Sequence, residues 1–235
     1  MEYLLTSLNT SRQSLLPQIK ILEENHLVEH YEDSYELTAI GKIIVDKAIP
    51  LLSTLEVFDS DIDFWGTRIL GFIPDHILEG IYKLRECEII NPPLCQLFDF
   101  DKKFQEGSKI SGAVYIITSF LHPNFPELTT ELIENNVNMF FIVSNSLLEK
   151  LLSERYTEFS KLFQNELVHI YVYQKEMDFH FFSVNDHYIM LNLLMKDGNI
   201  DNKYVFCHGR KALEWGHDYF EYCLEYSTPL KKLEP

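Results

Sequence analysis

The chain has 235 residues, is 46% hydrophobic and carries a formal net charge of −16. That length suits one or two domains with a substantial core. No stretch approaches the ~20 uninterrupted apolar residues of a membrane helix, and the acidic balance argues against a surface that grips nucleic acid without specificity. The first residues lack the basic-then-apolar text of a secretory leader, so the expected location is the cytoplasm and no membrane contact is expected.

Taken in order, Glu2 to Leu8 reads as a helix and Asn9-Thr10 as a turn. Ser11 to Asn25 is the next helix, with Leu15, Leu16, Ile19 and Leu22 at helical spacing and Thr10 or Ser11 available as its cap. Pro17 implies either a late start near Ser14 or a bend, because an interior proline removes a hydrogen bond. Leu27-Val28 opens a strand, Glu32-Asp33-Ser34 is a polar turn, and Tyr35 to Leu37 returns. Thr38 can cap a further helix, rich in Ile and Leu from Ile40 to Leu55, which Pro50 should interrupt or bend. Two helices, a two-stranded wing and the next helix make the second half of a winged helix-turn-helix. Asp59 to Asp63 is an acidic break, and Phe64-Trp65 anchors the segment beyond it.

From Lys109 the text changes to an alternation of strands and helices. Strands are expected at Ile110–Thr118, Val137–Val143, Leu167–Tyr173, Phe179–Val184, Tyr188–Met195 and Tyr204–Cys207. Helices are expected at Leu128–Asn135, Leu147–Phe163 and Lys211–Tyr226. This order predicts an α/β layer with a largely parallel sheet, to which the closely spaced later strands add antiparallel pairs.

The run LLPQIKILEENHLVEH, then YELTAIGKIIV and PLLSTLEVFDSDIDFWG, resembles the archaeal winged-helix transcriptional regulators of the FilR type, the methanogenesis regulators. FLHPNFPELTTELIENNVNMFFIVS, LLMKDGNID and KALEWGHDYFEYC resemble the second domain of the same family, so the likeness spans nearly the whole chain. HPNFP and ALEWGHDYFEY are its specific landmarks. The resemblance implies a DNA-binding protein, a homodimer, and a C-terminal domain that senses a small-molecule effector. It implies a two-domain fold, α+β then α/β: residues 1–60 a winged helix-turn-helix with a linker or dimer helix, and residues 61–235 a sensor domain. A winged helix normally opens with one more helix; here Met1 falls inside the expected second one. The strand order of the second domain also resembles the phospholipase-D-like fold that some archaeal sugar-responsive regulators use as a sensor. An enzyme of that fold needs a His followed by Lys two residues on and Asp seven on. The nearest start is His180, where the corresponding positions are Phe182 and His187, so no catalytic residue and no enzyme activity is expected.

For double-stranded DNA, the candidate contacts on the second helix are Ser11, Arg12, Gln13, Gln18 and Lys20, since Arg reads guanine and Gln reads adenine through paired hydrogen bonds. His30 and Tyr35 are candidate wing contacts, although the wing tip is Glu32-Asp33 and repels phosphate. Residues 1–57 hold four basic and nine acidic side chains, which predicts salt-sensitive binding. For an effector, the loops beyond the carboxyl ends of the first three strands of the second domain offer Ser119 and His122, then Ser144 and Asn145, then Tyr173. The histidines show no HxH or HExxH spacing, and no glycine-rich phosphate loop exists, so no metal or cofactor is expected. Cys87, Cys95, Cys207 and Cys223 form no CxxC pair and are expected as reduced thiols. Two competing readings remain: a protein-interaction or dimerisation module whose winged helix does not bind DNA, and a degenerate hydrolase.

Overall fold

The computed structural model describes residues 1–32, 34–96, 99–177 and 181–233. They fall into two compact units, Met1–Thr54 and Leu55–Pro235. No helix among the described residues is long and apolar enough to cross a membrane.

The first unit begins with helices α1 (Glu2–Ser7) and α2 (Arg12–Glu24). Asn9, with φ 46°, turns the chain between them, and His26, with φ 56°, ends α2. Short polar side chains tolerate this left-handed backbone best, which suits Asn9. Ser11 caps α2, its hydroxyl accepting from the Ser14 amide at 3.3 Å. The helix therefore starts early, and Pro17 lies inside it rather than in its first turn. Strands β1 (Val28–Tyr31) and β2 (Ser34–Leu37) pair antiparallel, with His30 opposite Tyr35; Asp33 of the expected turn lies outside the described residues. Thr38 caps α3 (Ala39–Asp59) by accepting from the Gly41 amide at 2.9 Å, and its hydroxyl donates back to the His26 carbonyl at 2.7 Å. One side chain thus ties the helix start to the strand entry. Helix α3 continues through Pro50, so of the two outcomes expected there the interruption does not occur: the missing amide removes one bond of the ladder without ending the helix.

In the second unit α4 (Ile62–Thr67) and α5 (Asp75–Leu78) precede the 3-10 turn Ile81–Leu84 and strand β3 (Glu88–Ile90). The order continues with α6 (Lys102–Lys109), β4 (Ala113–Thr118), α7 (Phe125–Glu134), β5 (Asn138–Val143), α8 (Asn145–Glu154) and α9 (Tyr156–Phe163). It ends with β6 (Val168–Tyr173), β7 (Phe181–Asn185), β8 (Tyr188–Asn192), β9 (Tyr204–His208), α10 (Arg210–Glu225) and β10 (Ser227–Pro229). Among the described residues, eight strands form one sheet in the order β10-β6-β5-β4-β7-β8-β9-β3. Of these, only β4, β5 and β6 run parallel; every other pair is antiparallel. The fold is mixed α+β, which corrects the expected largely parallel sheet. Parallel neighbours need a crossover of a dozen residues or more, and the short link from β7 to β8 permits only a hairpin.

That hairpin is held by Asn185, which is fully buried. Its carbonyl accepts from the amides of His187 and Tyr188, both at 2.8 Å, and its amide donates to the Ser108 hydroxyl at 2.8 Å. Side chains alternate between the two faces of each strand. Ile117, Ile142, Phe182, Val184, Ile189 and Leu191 meet Trp215, Tyr219 and Phe220 of α10 on one face. Val114, Ile116, Met139 and Phe141 meet Phe104, Leu128, Leu132, Leu147 and Phe159 on the other. Helix α10 lies close on the sheet because Gly216 faces it: a Cβ there would stand 2.7 Å from a methyl of Ile189. The Trp215 indole donates to the Ile77 carbonyl at 2.8 Å, so its buried N–H is satisfied.

Two further expectations are corrected. The single helix Leu147–Phe163 is two helices, separated at Arg155, whose φ of −134° leaves the helical region. Cys87 and Cys207 are joined in a disulfide, Cys95 is exposed and Cys223 is buried. Glu88 pairs with Phe206 across β3 and β9, so the antiparallel register sets Cys87 against Cys207. Burial pushes the Cys223 thiol up to about 12.

Candidate functional site

The carboxyl ends of β4, β5 and β6 line up, Thr118 beside Val143 and Val143 beside Val172. Thr118 also pairs with Phe181, Phe181 with Asn192, and β3 with β9 through Ile90 and Tyr204. One edge of the sheet therefore gathers the ends of seven strands. At this edge lies a cavity of about 590 Å³, within the usual range for small-molecule sites.

Phe181, Met190 and Phe206 give it an apolar floor. Asp101 enters from the start of α6, where one carboxylate oxygen accepts from the Phe104 amide at 3.0 Å. The other oxygen accepts from the Tyr204 hydroxyl at 2.8 Å. Burial and this carboxylate raise the Tyr204 pKa, so the phenol stays protonated and donating. Asp201 also lines the cavity and takes a hydrogen bond from the buried Arg68 guanidinium at 2.5 Å. Arg68 also lies over the Phe64 ring, 4.4 Å from its centroid. Glu88, Asp99, Lys102 and Lys103 complete the charged lining. Such a wall of mixed charge around an apolar floor can orient a polar metabolite. Among the described residues no group of three potential metal ligands exists.

His122 lines this cavity. Its Nδ1 accepts from the Asn124 amide at 3.1 Å, and its ring sits 4.3 Å from that of Phe100. Burial lowers its pKa, so the ring is neutral near pH 7, consistent with Nδ1 as acceptor; the remaining proton then sits on Nε2. The other four expected effector residues lie outside the cavity lining. Ser119 is half-buried just after β4. Ser144 caps α8, its hydroxyl accepting from the Leu147 amide at 3.1 Å. Asn145 donates to the Tyr173 carbonyl at 3.2 Å, so these two residues and Tyr173 cluster at the ends of β5 and β6. Asp101, Tyr204, Arg68 and Asp201 were not among the residues expected from sequence. Asp101 was accessible as a helix cap, since an Asp opens the run before Phe104, and Asp201 ends the LLMKDGNID landmark. His180 lies outside the described residues.

On the first unit, Ser11, Arg12, Gln13, Gln18, Lys20 and His30 are exposed and Tyr35 is half-buried. They do not form one face. At about 100° per residue Gln13 and Lys20 share one side of α2, and Ser11 and Gln18 another. Arg12 binds Glu2 of α1 at 2.5 Å, and Lys20 pairs with Glu24 at 3.7 Å. The His30 and Tyr35 rings stack on each other, 4.5 Å apart.

A mixed sheet covered by helices on both faces, with a cavity at one edge, preceded in the chain by a small helix-and-hairpin unit, defines the architectural class. Residues 97–226 match the family model for the middle domain of the methanogenesis regulatory protein FilR1, and the chain belongs to that family. The methanogenesis regulatory protein FilR1 of Methanothrix harundinacea (strain 6Ac) is 21% identical over 225 residues, covering 92% of this chain and 50% of that protein. The chain thus spans about half the length of the curated relative it matches. Similarity to solved structures is lower. TrmBL2, an archaeal chromatin protein with a novel mode of DNA binding, is 13% identical with a TM-score of 0.44, over 89% of this chain and 80% of that one. The phospholipase D family member Nuc of Salmonella typhimurium is 9% identical with a TM-score of 0.42, over 62% of this chain and 98% of that one.

Proposed function

We propose that the chain is a cytoplasmic DNA-binding transcriptional regulator and not an enzyme. Residues 1–60 act as a winged helix-turn-helix with its linker, and residues 61–235 as the effector domain. The observation that carries this reading is membership of a regulatory-protein family, joined to the helix, helix, hairpin, helix order of the first unit. In this reading α2 enters the major groove, Gln13 and Lys20 reach the bases, Ser11 and Gln18 approach the flanking phosphates, and His30 and Tyr35 form the wing contact. Arg12 joins them by exchanging Glu2 for DNA, at little cost because an exposed pair is worth little. The protein acts as a homodimer through α3, where Ile40, Ile43, Ile44, Leu51, Leu52 and Leu55 are all exposed. The effector occupies the cavity around His122, Asp101, Tyr204 and Asp201, and shifts DNA affinity only as far as it prefers one state over the other.

The test is fluorescence anisotropy on DNA from upstream of the chain's own gene, across a salt series. Saturable binding that outcompetes random DNA and weakens steeply with salt is expected. The double variant Gln13→Ala, Lys20→Ala should lower specific affinity by at least tenfold. Equal binding to random DNA, or none at low salt, rejects the reading. The second reading, an interaction module with a silent winged helix, is favoured by the pairing of Arg12 and Lys20 with acids. It predicts an unchanged partner complex in the same double variant.

A further inference from the structure

A second cavity lies in the same unit, in the helix layer between α7, α8 and α9. Its volume is about 330 Å³, the lower end of the small-molecule range and too little for a partner helix. Phe125, Phe141, Leu147 and Phe159 line it and are otherwise buried. Its hydroxyls are already committed. Thr118 donates to the Phe120 carbonyl at 2.7 Å, Thr129 to the Phe125 carbonyl at 2.9 Å, and Thr130 to the Pro126 carbonyl at 2.7 Å. A polyhydroxylated ligand would lose water there and gain few hydrogen bonds in return.

The rim has a different character. Lys161 and Arg155 line the cavity together with Glu158. Lys161 has no ion pair among the described residues. Arg155 reaches Glu158 only at 3.3 Å, with both side chains more than half exposed, so that pair exchanges readily. Arg155 also precedes α9, whose start carries no side-chain cap and whose first turn holds Glu158, so a ligand carboxylate would compete with Glu158 for the same cation and helix end. An apolar slot with cations at its mouth complements an amphipathic anion, the local cations acting against the −16 of the chain as a whole.

We propose that this groove binds a small amphipathic carboxylate. Its alkyl tail lies among Phe125, Phe141, Leu147 and Phe159, and its carboxylate meets Lys161 and Arg155. The site is distinct from the cavity at the sheet edge, which has more charged side chains in its lining, and Phe120 lines both.

Titration calorimetry of the full chain with decanoate, decanol and decylamine tests this. Decanoate should bind at least tenfold more tightly than either of the others. Lys161→Gln should weaken decanoate about tenfold and leave decanol unchanged, the size of one lost charge contact of about 1.4 kcal/mol. Ile133→Trp, which fills the slot from its half-buried wall, should abolish binding of decanoate and decanol alike; the exposed Thr130→Trp does the same if the first variant fails to fold. Decanol binding as tightly as decanoate overturns the carboxylate assignment. Absence of decanoate binding at about millimolar concentration, or binding untouched by a folded filling variant, overturns the site.

Discussion

The two units use their apolar residues in opposite ways. Among the described residues of the first, Ile19 is the one apolar side chain that is buried, while α2 and α3 expose Leu16, Ile21, Ile40, Ile43, Ile44, Leu51 and Leu52. The second unit encloses two dense clusters, one on each face of its sheet. A domain that buries so little of its own apolar surface depends on what covers it, since patches of this kind mark interaction surfaces. A domain with two filled layers stands by itself. The contrast teaches that the apolar surface left open and the apolar surface enclosed are lodged in different parts of the chain.

That contrast can be broken from either side. The largest expected effect is on the second unit: Asn185→Leu leaves the His187 and Tyr188 amides without an acceptor, and should cost about 3 kcal/mol, measured by denaturant unfolding followed through Trp65 and Trp215. The transition of the first unit should not move. The converse is Gly41→Ala, where the new Cβ would stand 2.1 Å from the Leu27 carbonyl oxygen. It should cost about 2 kcal/mol in the first unit alone, seen as early loss of hydrogen-exchange protection in residues 1–54. Simultaneous loss in both units would refute their independence.

A smaller effect sharpens the same point. Ile44→Glu on α3 should weaken self-association by about tenfold in sedimentation equilibrium, with the melting of the second unit unchanged. An unaltered dimer would move the interface off α3. The smallest effect is on pH. Burial lowers the His122 pKa below its ordinary 6.5, so the unfolded chain takes up a proton before the folded one does. The stability contributed is present above pH 6.5 and is lost as pH falls through that value toward the lowered one. His122→Gln should remove this fraction of the acid sensitivity, read as a flatter plot of melting temperature against pH. An identical plot would place the ring in water.

Local chemistry made much of the first unit legible. Ser11 and Thr38 announced the helix starts, and the alternation around Tyr35 announced the hairpin. The parallel strands β4, β5 and β6 were visible as β-branched runs separated by helical text. What the sequence hides depends on contacts distant along the chain. The break at Arg155 has no glycine or proline beside it. The three-residue strands β3 and β10 carry too few residues for a period. The pairing of Cys87 with Cys207 comes from a strand register across 120 residues, and spacing along the chain cannot display it. The cavity was legible in part for the same reason. His122 belongs to a turn that a sequence shows, whereas Asp101, Asp201 and Tyr204 converge only when α6, the β8–β9 link and β9 are folded together.

Among the described residues the sheet ends in β10 on one side and β3 on the other, each three residues long, with Pro229 closing the first. A proline offers no amide, and so short a strand gives a neighbour few groups to pair with. Main-chain pairing between copies at either end of this sheet is therefore limited to a few groups, and the edges of the larger unit resist ribbon-like growth.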